Sequence, residues 1–351
     1  MSSPAPTDFS ASAPQSVTEL EEVLSKPTAA LVAMMSRLEG DLVLLGVGGK
    51  MGPTMARMAR RAVDEAGSKA RVIGVSRFSD ESVREQLESW GVETVACDLL
   101  DPDAVNQLPL VANVVYLAGF KFGASLDPGR LWAMNCLAPA WICRHYQASQ
   151  IVAFSTGNVY RAVSADTGGS CESDTLEPHG EYAMAALGRE RTFQFFSETN
   201  KTPMALLRLN YAHDLRYGVF VDVAQQLVAG EPVDISTGHV NIVWQADANA
   251  MALRALEHCQ APAQIINVTG METVSVRTAA EQLAAVLGRT AEFSGKEGAT
   301  ALLSNATFGQ ALLGAPEISA EQVIGWTADW VGNSRPLLNK PTKFQVRDGK
   351  Y

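Results

Sequence analysis

The clearest chemical signal in the sequence is a glycine-rich turn between an apolar strand candidate and a helix candidate. Residues 46–52 read Gly-Val-Gly-Gly-Lys-Met-Gly, after apolar residues that begin at Leu42, and Pro53 then opens the helix. Glycines permit a tight turn that brings backbone N–H groups close to a pyrophosphate, whose charge the helix N-terminus stabilises. The turn therefore predicts a dinucleotide site that includes Gly46, Gly49, Lys50, Met51 and Gly52.

The end of the second strand candidate indicates which dinucleotide is preferred. An acidic residue there accepts a hydrogen bond from the ribose 2′-hydroxyl of NAD, whereas an arginine accommodates the 2′-phosphate of NADP. This strand ends at Ser76 and Arg77, and the first carboxylate after it is Asp80. Ser76 and Arg77 therefore favour NADP over NAD, and Lys50 is a candidate second cation. The alternative is that Arg77 is a solvated surface charge.

Apolar strand candidates alternate with helical stretches from residue 41 onwards. The helical stretches lie around 53–66, 80–90, 129–147 and 181–199, and the strand candidates are Leu42–Val47, Val72–Ser76, Val92–Ala96, Val114–Ala118, Ile151–Ser155 and Ala205–Leu209. Near-continuous apolar strands separated by helices are typical of a parallel sheet that is covered on both faces. The pattern predicts an α/β protein with a Rossmann-type doubly wound parallel sheet.

The chain divides into four predicted regions. Residues 1–40 comprise a Ser-, Ala- and Pro-rich disordered tail, up to residue 16, followed by a helical arm. Residues 41–210 form the NAD(P)-binding Rossmann domain. Residues 211–335 form a smaller, partly helical substrate region interleaved with the sheet, with a short strand at Ile265–Val268 and helices near 219–229, 245–258 and 276–287. Residues 336–351 form a second tail.

Composition and charge argue against several classes of function. The chain has 351 residues and a formal net charge of −10. It contains no run of lysines or arginines, so nucleic acid and anionic membranes are not expected as partners. The scattered cysteines and histidines predict neither a disulfide framework nor a metal site. No apolar run approaches the ~20 residues of a membrane span and no signal peptide is recognisable, so we expect a cytoplasmic protein.

Beyond the glycine turn, further motifs resemble the extended short-chain dehydrogenase/reductase family, the NAD-dependent epimerases and dehydratases. Gly46, Gly49 and Gly52 match its Gly-x-x-Gly-x-x-Gly pattern, and Asp98-Leu99 resemble its adenine-contacting pair. Residues 155–160, Ser-Thr-Gly-Asn-Val-Tyr, resemble its Ser-Ser-x-x-Val-Tyr motif. The resemblance covers about residues 41–330. It implies a cofactor site completed by Asp98, Leu99, Leu117, Ala118, Gly119, Asn135 and Ser155.

The same resemblance assigns a catalytic tyrosine but exposes a missing lysine. Tyr182 fits the family's catalytic tyrosine, and Thr156 matches its Ser/Thr partner. In the family a lysine four residues after the tyrosine holds the ribose and makes the phenol more acidic by placing a cation beside it. That position is Ala186 in this sequence. Without the cation we expect the phenol to remain protonated near neutral pH.

Two other cations are candidates for the missing charge. Lys121 follows the Ala118-Gly119 pair, as does a lysine in a similar loop of the UDP-galactose 4-epimerases, and it is the preferred substitute; the alternative is a solvated loop lysine. Arg189 shares a helical face with Tyr182 but lies about two turns, ~10 Å, along the axis, so we do not expect it to substitute.

Arg208 and Asn210 resemble the family's Arg-x-x-Asn nucleotide-sugar segment, with one residue fewer between them.

Two hypotheses of function follow from these residues. The first is an NAD(P)-dependent oxidoreductase or epimerase that acts on a hydroxyl/carbonyl centre of a sugar or sugar-nucleotide-like substrate, with Tyr182, Thr156 and Lys121 as catalytic residues. The second is a catalytically weakened NAD(P)-binding sensor or scaffold of the same family. Ala186 favours the sensor, whereas the retained polar set favours the enzyme, which we prefer. The resemblance also implies a homodimer that packs through the tyrosine-bearing helix.

Overall fold

A seven-stranded parallel sheet forms the centre of the protein. The computed structural model describes residues 13–120, 127–346 and 349. The strands of the sheet are β1 (Leu42–Leu45), β2 (Val72–Ser76), β3 (Glu93–Ala96), β4 (Asn113–Tyr116), β5 (Gln150–Thr156), β6 (Met204–Leu209) and β7 (Gln264–Val268). Their spatial order is β7-β6-β5-β4-β1-β2-β3, and every pairing is parallel. The order reverses between β1 and β4, which is where sheets of this kind open a crevice for ligands.

Helices cover both faces of the sheet and extend beyond its end. They are α1 (Val17–Leu24), α2 (Ala29–Met35), α3 (Gly52–Glu65), α4 (Glu81–Ser89), α5 (Pro102–Asn106), α6 (Pro128–Trp132), α7 (Ala138–His145), α8 (Gly180–Asn200), α9 (Val219–Ala229), α10 (Gln245–Arg254), α11 (Val276–Leu287), α12 (Thr307–Leu313) and α13 (Ala320–Gly332). A π-helical turn, Ala133–Leu137, joins α6 to α7. Short 3-10 turns lie at Gly157–Val159, Ala165–Thr167 and Ala255–His258.

Three pairs of two-residue strands complete the region after β6. Ala212–His213 pairs in parallel with Val243–Trp244, and Val233–Asp234 pairs in parallel with Phe293–Ser294. His239–Val240 pairs antiparallel with Val274–Ser275. The second hydrophobic cluster of the protein lies here, where α9, α11 and α13 pack together around Phe220, Trp244 and Trp330. The substrate side of the fold is therefore built mainly from helices and short strands.

The doubly wound parallel sheet predicted from the sequence is confirmed, with two differences in detail. The predicted short strand at Ile265–Val268, placed in a region interleaved with the sheet, is the edge strand β7 of the main sheet, where it pairs with β6. The single predicted helix at 129–147 is interrupted by the π-helical turn, where buried Asn135 donates from Nδ2 to the carbonyl of Leu131. Periodicity does not reveal a π turn, because one extra residue per turn leaves the apolar pattern nearly intact.

The helical arm before β1 packs on the protein's own core. Leu20 and Leu24 of α1 join the cluster that contains Phe220, and Leu31 and Met34 of α2 join the cluster beneath the sheet. Ser16 and Thr28 cap these two helices, each accepting a backbone N–H from the first turn. The predicted disordered tail falls largely outside the described residues. Among those described, no helix is long and apolar enough to cross a membrane, and no cluster of His, Cys, Asp or Glu is arranged to hold a metal ion.

Asp247 is a buried carboxyl group whose protonation affects stability. It lies in the first turn of α10, is 7% exposed, and accepts a hydrogen bond from the Ile318 N–H at 3.2 Å. Burial raises its pKa to about 6, against the opposing effect of the backbone N–H groups of Glu317 and Ile318. The folded state thus binds this proton more tightly than the unfolded state does. The stability that Asp247 contributes is therefore lost as the pH rises from about 4 through about 6.

We expect Asp247→Asn to raise the free energy of unfolding at pH 7.5 by on the order of 2 kcal/mol, because a neutral amide oxygen keeps the hydrogen bond without burying a charge. The gain should vanish near pH 4, where wild-type Asp247 is protonated. Urea unfolding at both pH values measures it, with the exposed Asp166→Asn as control. An equal effect of Asp247→Asn at both pH values would contradict the assignment.

Candidate active site

Two cavities open at the carboxyl ends of the strands, one on each side of the glycine turn. The first, here called the cofactor cavity, lies over β1, β2, β3 and β4. Its lining contains ten of the residues predicted from the sequence or adjacent to them, namely Gly46, Gly48, Gly49, Ser76, Arg77, Asp98, Leu99, Leu117, Ala118 and Gly119. The second, here called the reaction cavity, lies over β5 and β6. The glycine turn thus forms a wall shared by two spaces.

The glycine turn is packed so closely that side chains could not replace Gly46 or Gly52. Gly46 has φ +89°, and a Cβ there would lie 2.7 Å from the backbone nitrogen of Ala118. A Cβ at Gly52 would collide with the carbonyl oxygen of Val47. No side chain caps the N-terminus of α3. The Gly52 N–H donates to the Gly49 carbonyl at 3.2 Å, and Pro53 has no N–H to offer. The tight turn at the positive end of a long helix fits the pyrophosphate of a dinucleotide.

The end of the cofactor cavity where Ser76 and Arg77 lie carries an exposed cation. Ser76 lies beside Gly48, where a Cβ would be 2.6 Å from the Ser76 Oγ. Arg77 is exposed at the rim of the cavity and forms no ion pair with any described residue. The Asp98 carboxylate accepts the Leu100 N–H at 3.0 Å and lines the same space. The cavity therefore presents one positive and one negative side chain at its outer end.

The reaction cavity brings together the predicted tyrosine, its threonine partner and the glycine turn. Its lining contains Thr156, Tyr182, Ser155, Lys50 and Met51, together with Asn158, Asn210, Tyr211 and Tyr217. Thr156 is the last residue of β5, and its Oγ1 accepts the Asn158 N–H at 3.2 Å. Tyr182 lies in the first turn of α8 and packs with Phe120, Leu131 and Ala185. Strand end and helix start therefore present two hydroxyl groups to one space.

Lys50 points its ammonium into the reaction cavity. Its Nζ lies 3.3 Å from the centroid of the Tyr217 ring, a cation–π contact. Burial, together with the Lys50 charge, lowers the pKa of the neighbouring His213 to about 3, so this imidazole is neutral. Its Nε2 accepts the Phe220 N–H at 3.2 Å. Lys50 lines the reaction cavity, whereas Arg77 lines the cofactor cavity. The predicted role of Lys50 as a second cation for a 2′-phosphate therefore stays a prediction.

The position of the missing lysine is an apolar contact. Ala186 is fully buried and packs against Val159 and Tyr160. Lys121, the predicted substitute, lies outside the described residues, so its role stays a prediction. Asn135 is buried within the π-helical turn, and its Oδ1 accepts no hydrogen bond from any residue that the structure describes. The described part of the site therefore supplies no cation from position 186 itself.

A buried ion pair anchors α8 to the sheet. Arg208 of β6 donates to both carboxylate oxygens of Glu190, at 3.0 and 2.8 Å, and both side chains are almost fully buried. The Ser155 hydroxyl also donates to Glu190, and Arg208 donates to the Tyr160 hydroxyl at 2.8 Å. Burial raises the pKa of Tyr160 to about 12, although Arg208 opposes that effect. The charge of Arg208 is thus neutralised inside the protein, and Asn210 is likewise held, by Asn241 at 2.8 Å.

The C-terminal segment, predicted to be a tail, walls a third cavity beside the reaction cavity. The two cavities share Asn158 and Tyr211, and the third, here called the substrate cavity, is also lined by Tyr160, Arg161, Glu177, His179, Thr237, Leu302, Phe344, Val346 and Gly349. Thr342 donates from its backbone N–H and its hydroxyl to Asp222, at 2.8 and 2.5 Å. Gly349 rests against Gly180 at the start of α8. Phe344 is an apolar residue within a polar stretch of the sequence, and the structure buries it in the wall of this cavity.

Comparisons with known proteins agree with this geometry. The model of the NAD dependent epimerase/dehydratase family matches residues 42–269, which is more than half of the chain. The chain belongs to this family. The epimerase/dehydratase resemblance seen in the sequence is thereby confirmed, and the family's description as NAD dependent supports a nicotinamide dinucleotide at the glycine turn. No curated protein matches the sequence significantly.

Solved structures share the fold of this epimerase/dehydratase family member at low sequence identity. The UDP-glucuronic acid 4-epimerase from Bacillus cereus, in complex with UDP-glucuronic acid and NAD, has a TM-score of 0.66 and 16% identity. The UDP-glucose 4-epimerase from Thermotoga maritima, with UDP-glucose, has a TM-score of 0.66 and 17% identity. Each alignment covers 84% of this chain and 99% of the other.

We expect Arg208→Met to destabilise this family member by about 3–5 kcal/mol, because it leaves the Glu190 carboxylate buried without its partner. The double variant Glu190→Gln with Arg208→Met should recover much of that loss, since no buried charge is left uncompensated. Urea unfolding measures both, and exposed Arg191→Met on the same helix is the control. Equal stability of Arg208→Met and wild type would show that the pair does not anchor α8.

Proposed function

We propose that the protein is an NAD(P)-dependent oxidoreductase or epimerase that acts on a hydroxyl/carbonyl centre of a sugar or sugar-nucleotide-like substrate. The observation that carries the proposal is the reaction cavity, where Thr156 and Tyr182 lie opposite the glycine-turn residues Lys50 and Met51. A substrate oxygen held by the two hydroxyl groups would lie next to a dinucleotide bound at that turn. The adjoining substrate cavity, lined by hydroxyl, amide and charged side chains, suits a polyhydroxylated ligand.

The chemistry divides between the cofactor and the side chains of the chain. A nicotinamide dinucleotide held at the glycine turn would supply hydride transfer at the substrate carbon. Thr156 donates a hydrogen bond to the substrate oxygen, and the Tyr182 hydroxyl donates its proton to that oxygen when the carbonyl is reduced. The Lys50 ammonium stabilises negative charge that develops on that oxygen. The Tyr217 ring beneath Lys50 holds the ammonium in place.

A second candidate is a cofactor-binding sensor or scaffold of the same family with weakened catalysis. The observation that favours it is the fully buried Ala186, which packs on Val159 and Tyr160 where the family has its lysine. A sensor would bind the dinucleotide without turnover, while retaining the same two cavities. The polar lining of the reaction cavity favours the enzyme, because a binding module has no need of paired hydroxyl groups beside the cofactor.

We expect Tyr182→Phe to reduce hydride transfer at least 100-fold while leaving dinucleotide affinity within about threefold, because the proton-transfer group is lost but the cofactor cavity is not. The assay follows nicotinamide absorbance with sugar nucleotides and free sugars as substrates. Tyr146→Phe is the matched control, because the Tyr146 hydroxyl donates to the Pro109 carbonyl and does not line either cavity. Tight cofactor binding without turnover in wild type across this screen would favour the sensor.

We further propose that NADP is preferred over NAD, because the Arg77 guanidinium and the Ser76 hydroxyl line the cofactor cavity where a 2′-phosphate would lie. Arg77→Ala should weaken NADP(H) binding about 10- to 100-fold and leave NAD(H) binding nearly unchanged, since only the phosphate contact is lost. Fluorescence titration with NADPH and NADH measures this. A uniform loss for both cofactors, or no loss, would contradict the assignment.

The oligomeric state and the compartment are proposed on separate grounds. Leu137, Met184 and Phe195 are exposed apolar side chains on the π-helical turn and on α8, and we propose that they form a homodimer interface through the tyrosine-bearing helix. All five cysteines are unpaired thiols, which suits the reducing cytoplasm. The partner set is then a small molecule and a second copy of the chain, without nucleic acid or membrane.

A further inference from the structure

Arg189 is a buried cation on the helix that carries Tyr182. Arg189 is only 6% exposed. Within the described part of the chain no carboxylate pairs with it, whereas the neighbouring Glu190 is fully engaged by Arg208. The Arg189 Nε is buried and donates no hydrogen bond to a described residue. Burying a charge without a counterion is unfavourable, so the position calls for an explanation beyond packing.

The Arg189 side chain reaches back along α8 towards the start of the helix. Side chains of an α-helix lean towards its N-terminus, which shortens the distance that a backbone position alone suggests. The Arg189 Nη1 donates to the carbonyl oxygen of Ala118 at 3.2 Å. A Cβ at Gly119 would lie 2.8 Å from the same nitrogen. The guanidinium therefore lies directly behind the Ala118–Gly119 peptide.

This peptide separates the guanidinium from the cofactor cavity. Ala118 and Gly119 both line that cavity, and Ala118 touches Gly46 of the glycine turn. Phe120, the next residue, packs with Tyr182. The guanidinium thus lies behind residues 118–120, which contact the glycine turn at one end and Tyr182 at the other.

When a cation donates a hydrogen bond to the carbonyl oxygen of a peptide group, the N–H of the same group becomes a stronger hydrogen-bond donor. The Ala118 carbonyl and the Gly119 N–H belong to the same peptide group, and Gly119 is exposed to the cavity. Donation from Arg189 polarises the group, so the Gly119 N–H becomes a stronger donor to whatever ligand lies in front of it. Asn135 lies in the π-helical turn that packs on α8. Its buried Oδ1, like the Arg189 Nε, forms no hydrogen bond with a described residue.

We propose that Arg189 is a positioning residue that supplies, from about one turn further along α8, the fixed positive charge that is absent at Ala186. It acts through the Ala118–Gly119 peptide on the nicotinamide-ribose half of a bound dinucleotide. The proposal rests on the proposed cofactor function, and it reverses the expectation that axial distance along the helix disqualifies Arg189. A guanidinium stays charged at every working pH, so its effect does not titrate.

A fixed cation behind the cofactor distinguishes the two redox states of the nicotinamide. The oxidised ring carries a positive charge and the reduced ring does not, so a nearby guanidinium disfavours the oxidised form relative to the reduced form. Arg189 should therefore give the protein a preference for reduced dinucleotide. A residue that only packed the helix against the sheet would not change that preference.

The test compares Arg189→Met with exposed Arg191→Met on the same helix. Fluorescence titration and calorimetry give the affinities for reduced and oxidised dinucleotide, and thermal unfolding gives Tm. We expect Arg189→Met to bind reduced dinucleotide about tenfold more weakly and oxidised dinucleotide with a smaller loss, which lowers the reduced-to-oxidised affinity ratio severalfold. Its Tm should be unchanged or higher, because an unpaired buried charge has been removed. Arg191→Met should match wild type in every measurement.

Two rescue variants sharpen the interpretation. Arg189→Lys keeps the charge and should recover the affinity ratio in part, and Ala186→Lys added to Arg189→Met should recover it by restoring a cation at the family's position. An unchanged ratio in a folded Arg189→Met, or an equal loss for both redox states accompanied by a lower Tm, would overturn the proposal and assign Arg189 to packing. If wild-type protein bound neither NAD(H) nor NADP(H), the proposed function itself would fall.

Discussion

The geometry of the site depends on the buried pair between Glu190 and Arg208. Glu190 belongs to the helix that carries Tyr182, and Arg208 belongs to β6, while Ser155 ties the same carboxylate to the end of β5 that carries Thr156. One carboxylate therefore sets the position of helix and strand relative to each other. Because both charges are desolvated, the pair tolerates little displacement, and a shift of either element would leave a buried ion unpaired. This constraint sets how Thr156 at the end of β5 and Tyr182 at the start of α8 are positioned relative to each other.

The three cations near the site differ in what neutralises them. Arg208 is compensated by Glu190 inside the protein, so it holds structure and offers no charge to a phosphate. Lys50 lies over an aromatic ring, which attracts the ammonium without cancelling its charge. Arg189 has only a carbonyl oxygen and no carboxylate among the described residues. Arg208 therefore holds structure, whereas the charge of Arg189 lies beside the wall of the cofactor cavity.

Much of the fold could be predicted from the sequence because the inner strands of the sheet are buried, whereas the edge strand Glu93–Ala96 is partly exposed. Near-continuous apolar runs such as Leu42–Leu45 and Ile151–Phe154 have few alternatives to a covered parallel sheet. The glycine turn was recognisable because its close contacts with Ala118 and Val47 leave no room for a side chain. By contrast, the pairing of β7 with β6 was not predicted, since partners such as Ala205 and Gln264, 59 residues apart, leave no local signal.

The parts of the site that could not be predicted are those that depend on side-chain direction and on distant chain segments. The wall contributed by Thr342 and Phe344 depends on contacts with Asp222 and Thr237, more than a hundred residues away. Sequence spacing gives the separation of Arg189 and Tyr182 along the helix axis and does not show how an arginine side chain leans back towards the N-terminus, where its Nη1 reaches the Ala118 carbonyl. The absence of a motif lysine is therefore a statement about position 186. It does not establish that the site lacks a cation, because a neighbouring turn of the same helix can deliver charge to the same peptide.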